Sequence, residues 1–233
     1  YFAEMKRINR DGPPVLGGFR SPRRQPPEAL AGLAASGATV VDTRRGDAFA
    51  ARHVPGTLSV PLVKSFTTWA GSVMPFGKPF WLIVEEECAG QAIRDLAMIG
   101  FDQCEGVFPP EAVDAWVREH GPAGRSTGVS PDDLDARRLT GTLEIVDVRN
   151  ASEFEAGHLP GAVNVPLGRL AERLGELPRG RTLAVHCQSG SRAGVAMSLL
   201  RARGFDDVVH LTGDYVAWQK AGRPIEKGAP VPA

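Results

Sequence analysis

The stretch Val185-His186-Cys187-Gln188-Ser189-Gly190-Ser191-Arg192 holds the residues best suited to chemistry in this chain. The apolar run Thr182–Val185 before it reads as a short buried strand. After it, Ala193, Ala196, Met197 and Leu200 recur at helical spacing. Cys187 is therefore expected at a strand end, in a tight loop that opens a helix. Such a loop turns consecutive backbone N–H groups inward, and the helix terminus adds partial positive charge. Both favour a thiolate, so Cys187 is the candidate nucleophile, with a lowered pKa expected. Arg192 can offer a fixed cationic fork to an oxyanion, or can serve a structural ion pair. His186 adjoins Cys187 on the strand, where neighbours point to opposite faces, so it is expected to be structural.

The elements that position this loop belong to a repeat. Val40-Val41-Asp42-Thr43-Arg44 matches Ile145-Val146-Asp147-Val148-Arg149 at an offset of 105 residues. The offset persists through Phe49 and Phe154, His53 and His158, Pro55-Gly56 and Pro160-Gly161, and Pro61-Leu62 and Pro166-Leu167. Gly100-Phe101 and Gly204-Phe205 follow at 104. The domains are read as an N-terminal segment (1–20), a first unit (21–122), a linker (123–128) and a second unit (129–233). The first segment, Tyr1 to Arg10, is amphipathic and is broken by Asp11-Gly12-Pro13-Pro14; it is too short to be a stable helix alone.

In the second unit, Ser130-Pro131-Asp132-Asp133 reads as a helix start. Strands are expected at Glu144–Val148, Ala162–Val165, Thr182–Val185 and Val208–Leu211. Helices are expected around Ser152–Ala156, over Leu167–Leu177, after Cys187, and over Asp214–Ala221. This alternation predicts an α/β fold, each unit a mostly parallel sheet of about five strands with helices on both faces. Ligands bind such sheets beyond the carboxyl ends of strands, where Cys187 lies.

Composition narrows the function. The 233 residues carry 27 Lys+Arg and 27 Asp+Glu, which gives no electrostatic reason to expect nucleic acid or an anionic membrane. Three cysteines fit neither a disulfide framework nor a zinc site, and no metal or cofactor is expected. No apolar run approaches a membrane span, no signal peptide is visible, and a reducing, cytoplasmic setting fits best. Arg outnumbers Lys by 22 to 5, a composition suggestive of a bacterial source. The chain starts at Tyr1 rather than Met, so a longer polypeptide is expected.

Asp147-Val148-Arg149, Glu153-Phe154, Gly157 to Ala162, Asn164-Val165-Pro166 and Cys187 to Arg192 resemble the rhodanese (sulfurtransferase) domain, in order, along the second unit. The first unit resembles it in scaffold alone: Asp42, Arg44, His53, Pro55-Gly56 and Pro61 match. After the strand expected at Trp81–Val84, Glu86 is expected to stand where the second unit has Cys187, in an acidic loop about three residues shorter. That unit is read as catalytically silent. Asp42 and Arg44 recur there, so Asp147 and Arg149 are assigned to the scaffold, with Arg149 also a candidate for the pocket rim; the His53/His158 pair is treated alike. Tyr1 to Pro13 is similar to the tail that closes the metallo-β-lactamase-fold domain in persulfide dioxygenase–rhodanese fusions, which implies such a domain in the same polypeptide.

The resemblance implies that Cys187 takes sulfane sulfur from thiosulfate or a low-molecular-weight persulfide and hands it to a thiol, sulfite or cyanide. Backbone N–H groups from Gln188 to Arg192 would hold the thiolate, and Gly190 would supply a positive φ. Ser189 and Ser191 would donate hydroxyls or shape the turn, and Arg192 would bind the sulfonate. One rival is a Cys-dependent phosphatase or arsenate reductase. Phosphatase loops of that kind place five residues between Cys and Arg, whereas four lie between Cys187 and Arg192. The other rival is a non-enzymatic persulfide carrier or docking module.

Overall fold

The computed structural model describes residues 2–12, 15, 17–19, 21, 23–121 and 123–229, with side chains from residue 4 onward. The break expected at Pro13-Pro14 lies outside the described residues. The chain divides into two compact units, Tyr1–Arg125 and Ser126–Ala233.

The first unit runs α1 (Phe2–Asp11), α2 (Ala29–Ala35), β1 (Thr39–Asp42), α3 (Gly46–Ala51), β2 (Leu58–Ser59), α4 (Phe66–Val73), β3 (Phe80–Ile83), α5 (Glu86–Ala97), β4 (Cys104–Phe108) and α6 (Glu111–His120). Among the described residues its four strands are ordered β2-β1-β3-β4, and every pair is parallel. A fifth position is marked by a single parallel bridge between Arg24 and Val107. Leu30, Val40, Val54, Ile83, Phe108, Ala112 and Val113 form its core on the α2 and α6 side.

The second unit runs β5 (Thr127–Val129), α7 (Pro131–Leu139), β6 (Leu143–Asp147), α8 (Ala151–Ala156), β7 (Val163–Asn164), α9 (Leu167–Leu170), β8 (Thr182–His186), α10 (Ser191–Ala202), β9 (Val208–Leu211) and α11 (Asp214–Lys220). The five strands are ordered β5-β9-β8-β6-β7, again all parallel. Leu143, Ile145, Ala184, Val209 and Leu211 pack with Leu134, Tyr215 and Trp218 of the flanking helices. The alternate residues Val146, Leu183 and Val185 are buried as well, so helices cover the sheet on both faces and β8 is buried along its whole length. Ser130 caps α7 by accepting the Asp133 N–H at 3.1 Å, with Pro131 in the first turn.

Two local expectations change. The helix expected over Leu167–Leu177 is a single turn, α9, followed by a 3₁₀ turn at Leu174–Glu176. Gly168 and Gly175 weaken a continuous helix, and Arg173 turns to Glu176 and to the Asn164 carbonyl instead. The stretch 123–128, read as a linker, is built into sheet structure: Gly124 pairs antiparallel with His53, and Thr127-Gly128 begins β5 on β9.

Candidate active site

Strand β8 ends one residue later than hydropathy suggests, at His186, which pairs with Asp147 of β6. The His186 ring is fully buried. Its Nδ1 donates to the Cys187 carbonyl at 3.2 Å, while Nε2 lies 3.6 Å from Asp147 Oδ2 without a hydrogen bond. Burial pushes the His186 pKa down and holds the ring neutral. As expected, its ring serves the backbone.

The chain then leaves the sheet through Cys187–Gly190 and enters α10 at Ser191. Gly190 has φ +102°, the left-handed region that its missing β-carbon allows. A β-carbon there would also press on Asp214 Oδ2 at 3.1 Å. This turn brings the Gly190 N–H to Cys187 Sγ at 3.1 Å. The N–H groups of Ser189 and Ala193 favour the thiolate too, so the cradle reaches Ala193, one residue past the stretch expected.

The expected lowering of the Cys187 pKa does not hold. Cys187 is 2% exposed, and burial, followed by the Asp214 carboxylate, pushes its thiol up against the three N–H groups. The helix terminus is legible in sequence; the carboxylate, 27 residues downstream, is not. Asp214 Oδ1 accepts the Cys187 N–H at 2.7 Å and its Oδ2 accepts from His210 Nε2 at 2.8 Å. Sequence reasoning misses Asp214 and His210 as site residues. Their one signal is the four-residue spacing that carries a histidine at a strand end to an acid opening the next helix, after Thr212-Gly213.

Arg192 lies on the first turn of α10 in a two-bond pair with Glu153 of α8, at 2.6 and 2.8 Å. The pair holds Glu153 below the usual carboxylate range and raises Arg192. Arg192 also faces Cys187 closely enough to interact with it. The cationic fork thus stands at the loop with its charge already balanced, the ion-pair alternative of the sequence reading. Ser189 and Ser191 are exposed, and Gln188 is half-buried.

Arg149 bonds both oxygens of Asp147, donates to the Gly157 carbonyl at 2.8 Å, and reaches Gln188 Oε1 at 3.3 Å. Its guanidinium stacks over the Tyr215 ring at 4.0 Å, and the Tyr215 N–H donates to the Cys187 carbonyl at 3.1 Å. Arg149 is therefore a buried scaffold residue that touches the loop. The first unit repeats the motif: Arg44 bonds both oxygens of Asp42 and the Arg52 carbonyl. The histidines are duplicated as well. His53 stacks on Phe49 and bonds its carbonyl, and His158 does the same with Phe154.

The strand registers correct one equivalence. Asp42 pairs with Ile83 as Asp147 pairs with His186, and the Thr43 N–H donates to Ile83 as the Val148 N–H donates to His186. Val84, buried, and not Glu86 therefore stands at the place of Cys187. Glu86 already begins α5, and its exposed carboxylate meets Arg24 at 3.1 Å. The loop is one residue shorter than its counterpart, counted from the aligned strand end to the Gly-Phe pair, not three. The mismatch arises because hydropathy places the strand end at the last apolar residue. A slip of two residues keeps every side chain on its own face, so hydropathy cannot detect it.

Residues 130–221 match the Rhodanese-like domain family. A thiosulfate sulfurtransferase, GlpE, from Shewanella oneidensis is 38% identical over 80 residues, 34% of this chain and 79% of its own length. The chain belongs to the rhodanese-like family. A sulfurtransferase from Allochromatium vinosum is 33% identical to this rhodanese-like chain over 92 residues, 39% of this chain and 86% of its own length. The HTH-type transcriptional regulator Rv0324 from Mycobacterium tuberculosis is 38% identical over 110 residues, 44% of this chain and 48% of that protein. The rhodanese-like chain thus spans about half the length of that longer relative. Among the described residues, no group of three or more His, Cys, Asp or Glu side chains could hold a metal ion. No described helix is long and apolar enough to cross a membrane.

Proposed function

We propose that the second unit transfers sulfane sulfur through a persulfide on Cys187. The observation that carries this reading is the Gly190 N–H aimed at Cys187 Sγ at the mouth of α10. The Cys187 thiolate attacks the outer sulfur of thiosulfate or of a low-molecular-weight persulfide. The S–S bond breaks, sulfite or the parent thiolate leaves with the electron pair, and Cys187 carries the sulfur. A thiol, sulfite or cyanide then attacks that sulfur and the Cys187 thiolate is restored.

Backbone N–H groups of Ser189, Gly190 and Ala193 hold the thiolate and later the persulfide. Gly190 shapes the turn, and Gln188 ties it to Arg149 at the rim. The exposed Ser189 and Ser191 flank the entrance. Arg192 takes an anionic donor group when Glu153 releases it. Relatives named as sulfurtransferases support the reading at the level of chemistry.

The first unit is the silent partner on this reading, with Val84 where a nucleophile would have to stand. The small sulfur compounds above are the substrates of the second unit, in a reducing, cytoplasmic setting. The similarity of residues 1–13 to the fusion tail adds a metallo-β-lactamase-fold domain in the same polypeptide. A donor–acceptor assay with thiosulfate or glutathione persulfide as donor, and cyanide as acceptor, tests the central reading. Thiocyanate formation that vanishes in Cys187→Ser is expected; equal rates in the variant would refute it.

A further inference from the structure

Asp214 is strained where glycine would be at ease. Its φ is +58°, and among the described residues it is the one non-glycine residue in the left-handed region. Its side chain is 1% exposed, and both oxygens are committed, one to the Cys187 N–H and the other to His210. The place corresponding to Asp214 in the first unit follows from the register. Ile83 pairs with Phe108 there, so Phe108 answers to Leu211 and Glu111 to Asp214. Glu111 is exposed, and its helix starts from a proline in ordinary helical conformation. The strained, clamped acid therefore occurs in the unit that has the cysteine and not in the other.

We propose that Asp214, held in place by His210, is a positioning residue for Cys187: it pins the backbone of the nucleophile and sets a negative charge beside the sulfur. The proposal rests on the sulfur-transfer reading of Cys187. Around that sulfur the charged and titratable groups are Asp214 from α11, His210 from β9, His186 from β8, Arg192 from α10 with its Glu153 partner, and Arg149 through Gln188. Arg192 and Arg149 are each matched by a carboxylate of their own. Asp214 is matched by a histidine reached from the surface, its side chain 28% exposed. After burial, the larger cause, the Asp214 carboxylate holds back ionisation of a thiol that the helix terminus alone would favour, and the strain at φ +58° is retained for that placement.

The test uses the full chain as wild type, D214N, D214G and H210A. Modification of Cys187 by iodoacetamide is followed by peptide mass spectrometry between about pH 6 and pH 10, the range that brackets an ordinary thiol. Thermal melting is recorded for each protein. D214N keeps an oxygen for the Cys187 N–H and removes the charge. Its reactivity midpoint is expected at lower pH, with modification at neutrality about three- to tenfold faster. H210A leaves the carboxylate without its donor and is expected to move the midpoint the other way. D214G relieves the left-handed strain but leaves the buried Cys187 N–H without its acceptor, two opposing effects of similar size, so its melting temperature is expected to change little. In D214G the loss of the pin is expected to lower kcat for sulfur transfer about tenfold, with KM little changed; D214N is expected to recover most of that loss. A purely structural role predicts the reverse: lower melting temperatures with Cys187 profiles superimposed on wild type, and that result would overturn the proposal. Alkylation needs no sulfur donor. A wild type that takes no sulfur would therefore refute the transfer reading, while the alkylation profiles would still decide whether Asp214 controls Cys187.

Discussion

The two units share one framework and differ at one junction. In both, an Asp-x-Arg pair closes the strand β1 or β6 onto the next backbone turn, and a histidine stacks on a phenylalanine and bonds its carbonyl. In both, that histidine's N–H pairs with the chain after the last helix, at Gly124 or Glu226. Beyond the central strand they diverge. Two residues, Val84 and Glu85, lead directly into α5, whereas Cys187–Gly190 makes a turn with a positive-φ glycine before α10. The lesson is that the Asp, Arg and His of the repeat belong to folding, because they persist with these bonds where the place of Cys187 holds a valine. What distinguishes the second unit is the turn, the clamped Asp214 and the Arg192–Glu153 pair.

The largest expected effect sharpens the shared half of that comparison. Arg149→Ala strands the buried Asp147 carboxylate and is expected to cost about 3–5 kcal/mol, read by urea unfolding. Arg44→Ala should cost less, because Arg44 keeps 14% of its side chain in water against 2% for Arg149. Equal losses would break the claim that burial sets the difference.

The next effect tests the differing half. Arg192→Ala is expected to lower kcat/KM for thiosulfate by about ten- to a hundredfold, the scale of a lost charge-assisted bond. Glu153→Gln frees the guanidinium and is expected to lower KM for that donor. An unchanged KM would confine Arg192 to its ion pair.

A smaller effect comes from His186, whose counterpart, Ile83, cannot titrate. Burial puts the folded pKa of His186 below the ordinary 6.5, so the unfolded chain binds the proton first. The stability from the neutral ring is fully present above pH 6.5 and is lost as pH falls from there toward the folded value. His186→Ile should flatten that acid slope in the melting temperature; an unchanged slope would assign it to other groups. The smallest effect is a null. Val84→Cys in a Cys187→Ser background should take up no sulfur, because Val84 lacks the turn that aims an N–H at Sγ.

Much of this is legible in the chain itself. The repeat, the parallel α/β order, the Cys187 turn and the positive φ of Gly190 follow from local spacing and glycine chemistry. Hidden from sequence are matters decided across strands. Ile83 and His186 occupy one register position, yet one is apolar and the other is not, so a strand end read from hydropathy slides by two residues. Asp214 reaches Cys187 from another element, and burial, followed by that carboxylate, outweighs a helix terminus that local reasoning treats as decisive. Glu153 meets Arg192 across 39 residues, so the ion pair has no local signal.

The most direct test of the central claim is the intact mass of the wild type and Cys187→Ser after incubation with thiosulfate or glutathione persulfide. A gain of about 32 Da, one sulfur, in wild type alone is predicted. The same gain in Cys187→Ser would move the sulfur to one of the other two cysteines, Cys88 in α5 or Cys104 in β4, and contradict the account.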